Sequence, residues 1–234
     1  MPSELQRTSR NSRRSPAETA PKAATGATDA RTLLYFPIVH TQADMGTLAH
    51  SVQRVTVRTL GRRAWSRNVD VVDQLWADIR TTVQGWKMSW TRVRIYQDGL
   101  PVCACEADIV RDLAKAGSPN HQLLLWLTKK GATLMGTESP ELVVEEYRLV
   151  QLTLEAKRTP EQAAKLAAQH EAQSRSLLVR RDEYIAKRIN ESLRAGETGL
   201  LFLGMLHSVE HRLAKDILVT YPMHRPAHRP GGRT

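Results

Sequence analysis

The sequence predicts an α/β fold with a small, mainly parallel sheet and a large share of helix, including one long helix near 160–194. Three observations predict it. Short apolar runs rich in Leu, Val and Ile recur along the chain, and stretches of three- and four-residue apolar periodicity separate them. Strands that alternate with helices indicate a parallel sheet. The helical stretches are much longer than the apolar runs, so the sheet is small.

The first strand is predicted in Leu33-Leu34-Tyr35-Phe36-Pro37-Ile38-Val39, where Pro37 removes one ladder donor and points to an edge position or an early end. Helical patterns follow; Val69, Val72, Trp76, Ile79 and Val83 recur on one face. A second strand, Thr91 to Gln97, alternates Val93 and Ile95 with arginines and stops at the turn signal Asp98-Gly99-Leu100-Pro101. Two glycine-closed helical patterns come next, CEADIVRDLAKAG and SPNHQLLLWLTKKG. Ala132 to Gly136 is a short third strand.

Ser139-Pro140-Glu141 opens a helix with Ser at the N-cap and Pro at the first helical position. Thr159-Pro160-Glu161-Gln162 repeats the device with a capping-box Gln, and the helix it opens runs to about Arg194 before Gly196. Its apolar stripe holds Leu177, Leu178, Tyr184, Ile185, Ile189, Ser192 and Leu193. Arg181 and Arg188 fall on that stripe, and a buried arginine needs an anionic partner: Asp98, Glu138 or an anionic substrate. Leu200-Leu201-Phe202-Leu203 and Asp216 to Tyr221 are the last strands.

Composition divides the chain into a basic tail over 1–31, expected to be disordered, a single α/β domain over 32–221, and a flexible basic tail over 222–234. The net charge of +10 lies mostly in these arms, which carry +6, leaving +4 on the core. Nucleic-acid contact is therefore expected only weakly and through the tails. Aromatic residues do not interleave with basic ones as in a single-strand binding platform. The only two cysteines, Cys103 and Cys105, are too close in sequence to pair readily, which fits a reduced, cytoplasmic setting. There is no secretory h-region, and the longest apolar run, GLLFLGML, is too short to span a membrane. P-loop, dinucleotide-binding and nucleophile-elbow signatures are absent.

In open α/β sheets, ligands bind beyond the carboxyl ends of the strands. The predicted strands deliver His40-Thr41-Gln42 with Asp44 close behind, Gln97-Asp98, Thr137-Glu138 and His207 to that edge. Two histidines and two carboxylates arriving together could bind a metal or move protons. His207-Ser208-Val209-Glu210-His211 also fits the H-x-x-E-H zinc-protease string. The fit is formal, because His207 sits at a strand end and Asp216 is the only acid after His211.

Arg181-Asp182, then Gly196, then LLFLGMLH resembles the closing segment of the TraB/TIKI, ChaN-like and erythromycin-esterase-like superfamily, in which Arg-Asp on a helix precedes a strand ending in Gly-x-x-His. The opening Gly-Glu-x-x-His of that group is represented here only by the histidine of Phe36-Pro37-Ile38-Val39-His40. YQDGLPVC, GTESPEL and GLLFLGMLH also resemble an uncharacterised bacterial family. The superfamily resemblance implies a hydrolase-like or metal-binding site built from His40, Asp98 and His207, with Arg181 nearby. The expectation is thus a cytoplasmic hydrolase-like protein acting on a small molecule or peptide. His40 and His207 serve as acid/base groups or metal ligands, Asp98 as ligand or orienting carboxylate, and Arg181 as the anion-stabilising group. A metal site would take His40, His207, Asp98 and Glu138 around zinc, manganese or iron. The alternative is a non-catalytic binding protein for an anionic small molecule or a protein partner.

Overall fold

A computed structural model describes residues 30–155 and 160–223, without the side chains of 155 and 160–168. Five strands form one sheet: β1 (Arg31–Ile38), β2 (Val93–Gln97), β3 (Thr133–Met135), β4 (Thr198–Gly204) and β5 (Ile217–Thr220). Their order across the sheet is β3-β2-β4-β1-β5, and every pairing is parallel. The helices are α1 (Ala49–Leu60), α2 (Arg62–Gln84), α3 (Glu106–Lys115), α4 (Pro119–Lys129), α5 (Pro140–Glu155) and α6 (Pro160–Ser192).

Strand alternation produces two cores, one on each side of the sheet. Leu34, Phe36, Ile38, Val93, Ile95, Leu200 and Phe202 point to one side, against Trp76, Ile79 and Val83 of α2 and Leu123, Leu124 and Leu127 of α4. Leu33, Tyr35, Tyr96, Leu201 and Leu203 point to the other, against Ile185, Ala186, Ile189 and Leu193 of α6. The central strands read as unbroken apolar runs because both faces are covered.

Of the two expectations for Pro37, the edge position needs correction and the early end holds. β1 is an interior strand, between β4 and β5. However, β5 pairs only with Arg31 to Leu34, so Pro37 lies past its end while keeping register with Leu203 of β4. The missing donor is tolerated at a locally unpaired side, and β1 ends one residue later. The core also begins slightly earlier than 32, since Arg31 already pairs with Ile217 and its guanidinium grips Asp216 at 2.7 and 2.8 Å. Met223, placed in the C-terminal tail by composition, packs against the first core. The rest of both tails, and the Thr159 capping box, lie outside the described residues. Ser139 does cap α5, accepting from the Leu142 amide at 3.3 Å.

Candidate functional site

All five residues singled out by the sequence, His40, Asp98, Glu138, Arg181 and His207, meet at the carboxyl edge of the sheet. Each is positioned by backbone geometry that its own segment dictates. Trp76 Nε1 donates to Val39 O at 3.0 Å, fixing the chain immediately before His40. Asp98 extends the β2 ladder by one residue, its amide donating to Phe202 O at 2.9 Å. Gly99 then turns the chain with φ +72°, a left-handed value that glycine accepts without strain. Glu138 is held by a short parallel pairing: the Thr137 and Glu138 amides both donate to Leu100 O, and Val102 N donates to Glu138 O. His207 sits in the turn after β4, its amide donating to Gly204 O at 3.0 Å.

The side chains form one connected network. Arg181, arriving from α6, donates from Nη2 to Asp98 Oδ1 at 2.8 Å. It holds Glu138 bidentately, Nε to Oε2 and Nη2 to Oε1, both at 2.6 Å. Its Nη1 reaches Glu146 of α5 at 2.5 Å. Asp98 Oδ2 accepts from the Gly204 amide at 2.8 Å and faces His40 Nε2 at 3.1 Å. His207 Nε2 stands 3.8 Å from the same oxygen, while its Nδ1 meets Asp182 Oδ1 at 2.5 Å. Asp182 also accepts from the Ser208 amide at 2.9 Å. Gly204 is required for this closeness, because a Cβ there would stand 2.8 Å from Asp98 Oδ2.

Asp98, Glu138, Arg181, Asp182 and His207 are buried, whereas the His40 side chain keeps 36% of its surface exposed. His40 and, across Arg181, Glu146 are the accessible ends of the network, and of the two only His40 lies against Asp98. Three carboxylates surround the one guanidinium and a fourth, Asp182, meets His207, so the cluster favours protons on its histidines. Burial pulls the His40 imidazole down, but the hydrogen bond and charge of Asp98 outweigh it and raise the group to about 9. His207 is raised in the same way, burial opposing and Asp182 prevailing. Burial pushes Asp98 up, yet its bond to His40 and the charges of His40, His207 and Arg181 hold it well below the usual carboxylate range. Glu138 moves the other way: burial and the Asp98 charge raise it against the pull of Arg181.

Sequence reasoning grouped the strand-end residues and named two of the three carboxylate partners of Arg181. Arg188, the other arginine of the stripe, instead donates from Nε to Gly136 O at 3.0 Å. Two members gave no role in advance. Asp182 was legible only as the neighbour of Arg181. Glu146 is half-exposed on α5 and carries no sequence signal. Asp44, close behind His40 in sequence, serves the scaffold: it accepts from the Thr41 amide at 2.7 Å and from the Ser118 hydroxyl at 2.5 Å beside His121. The H-x-x-E-H string does not form one α-helical face. Glu210–Arg212 is a single 3-10 turn, and His211 is exposed.

The donor set bears on the expected metal. Both Glu138 oxygens are engaged by Arg181. Among the described residues, no group of three or more His, Cys, Asp or Glu side chains is arranged to hold a metal ion as it stands. The described residues also contain no helix long and apolar enough to cross a membrane. No family model, no curated protein and no solved structure matches the chain.

Proposed function

We propose that this is a hydrolase-like protein in which His40 transfers a proton to or from a bound substrate at the carboxyl edge of the sheet. One observation carries the reading: His40 is the exposed terminus of a buried Asp98–Arg181–Glu138 and His207–Asp182 network. With Nε2 anchored on Asp98, the Nδ1 edge of the ring is the side available to a substrate. An imidazole raised to about 9 is protonated at neutral pH, so its first role is that of general acid or of cation facing a developing oxyanion. Arg181 is here a positioning residue; with four donor contacts to carboxylates, it fixes Asp98 rather than meeting substrate. His207, oriented by Asp182, supplies a second proton-holding ring behind Asp98.

A metal-assisted form of this reading has its own supporting observation. The Nε2 atoms of His40 and His207 both approach Asp98 Oδ2, and Asp182 on His207 Nδ1 has the relation of an outer-shell carboxylate to a metal-bound imidazole. Zinc, manganese or iron held by these three side chains would lower the pKa of a bound water. Glu138, committed to Arg181, would stay outside the ligand set.

Hydrolysis of a panel of activated carboxyl and phosphate esters, with and without added zinc, manganese or iron, tests the proposal. The expected result is turnover lost in His40→Gln and retained in Glu146→Gln. Turnover unchanged in His40→Gln, or no turnover by the wild-type protein on any ester, would overturn it. Saturable anion binding lost in His40→Gln, without turnover, would favour the binding-protein reading.

A further inference from the structure

The positive charge of the core is concentrated in one place away from the strand-end site. Residues 49–69 contain five arginines, Arg54, Arg58, Arg62, Arg63 and Arg67, and no acid. The whole of 32–221 carries only +4, so the remainder of the core is slightly acidic. The fold gathers these residues further. α1 stops at Gly61, whose φ of +84° turns the chain straight into α2. The corner between the helices encloses an open groove of about 540 Å³, lined by Gln53, Arg54, Val57, Arg58, Arg62 and Trp65. None of the five arginines is paired with a carboxylate among the described residues; Arg54 reaches only the Ser51 hydroxyl.

We propose that this groove binds single-stranded nucleic acid, with the arginines on the phosphates and a base against the half-buried Trp65. The inference is independent of the strand-end site. Unpaired, exposed guanidiniums select an anion, and three of them along one groove, Arg54 and Arg58 of α1 and Arg62 of α2, suit successive phosphates of a polyanion better than a single small anion. An indole between arginines provides the stacking surface that single strands use and that paired bases cannot reach. The groove has the volume of a small-molecule pocket, room for one nucleotide unit. A lipid surface fits less well. An interfacial helix gathers its apolar side chains on one face. In α1 the only large apolar side chains that are exposed are Val55 and Leu60, and they stand about 140° apart around the helix axis.

Fluorescence anisotropy of the full chain with labelled oligothymidylate and oligouridylate tests the proposal, in the range of about 50–200 mM salt. Reversing two phosphate contacts in Arg58→Glu/Arg62→Glu weakens binding about tenfold or more and makes the log–log salt slope shallower by about 1.4. Trp65→Ala weakens binding about tenfold and leaves that slope unchanged. Arg58→Gln/Arg62→Gln, with an unchanged circular-dichroism melt, guards against loss of fold. The proposal is overturned if the wild-type chain binds neither strand at low salt, if both double variants bind as wild type, or if duplex binds more tightly than strand. Arginine-dependent binding to phosphatidylserine vesicles without binding to either strand also overturns it and assigns the groove to a membrane surface.

Discussion

His40 and Asp98, 58 residues apart in the chain, face each other at 3.1 Å from Nε2 to Oδ2. The pair joins the end of an interior strand to the turn that closes its neighbour but one. Only the histidine reaches solvent. Asp98 cannot relax away, because the Arg181 guanidinium and the Gly204 amide hold its two oxygens.

This pairing ties stability to pH. The folded His40 group lies at about 9, above the ordinary value near 6.5, so its contribution is complete below about 6.5 and disappears as pH rises through about 9. His207 is shifted in the same direction and adds to the trend. Urea unfolding across this range should show wild-type stability falling toward alkaline pH, with a shallower fall in His40→Gln. A flat wild-type profile would contradict the charge assignment.

Arg181 should be the least replaceable side chain of the cluster. Arg181→Met leaves Asp98 and Glu138 buried without their cation, and breaking a buried pair on one side costs about 3–5 kcal/mol. Glu146, half-exposed at the rim of the same network, should cost no more than about 1 kcal/mol when changed to Gln. Denaturant melts of the two variants check the contrast, and equal losses would place the network's strength elsewhere.

Gly204→Ala tests whether close packing, and not charge alone, sets the site. The added methyl would stand 2.8 Å from Asp98 Oδ2, a distance that real Cβ contacts do not adopt, so the carboxylate must move. The His40 titration midpoint should then fall from about 9 toward the ordinary value near 6.5, while β4 keeps its place in the sheet. A midpoint unchanged in Gly204→Ala would separate Asp98 from the His40 shift.

Much of this arrangement was legible in the residues. Short unbroken apolar runs marked β1 and β4 and alternation marked β2, and a parallel sheet brings strand carboxyl ends to one edge, which is why His40, Asp98, Glu138 and His207 could be grouped without a motif. Arg181 stood out because a charge on the apolar stripe of α6 demands a buried acid, and two of its three carboxylates were among the partners named for it. Of the two positions Pro37 allowed, the early end holds and the edge does not, because β5 covers only the first half of β1 and leaves Pro37 locally unpaired. Glu146 was invisible, since its partner depends on how α5 lies against α6. The groove at Gly61 was missed for a related reason: Trp65 and its arginines line one surface only after the helices fold around that glycine.

The most direct test of the central claim is an NMR titration of the His40 ring, assigned by its loss in His40→Gln. The account predicts a protonated imidazole at neutral pH with a midpoint near 9, falling toward the free value when Asp98 becomes Asn. A midpoint at or below about 6.5 in the wild-type protein, or one indifferent to Asp98→Asn, would contradict it.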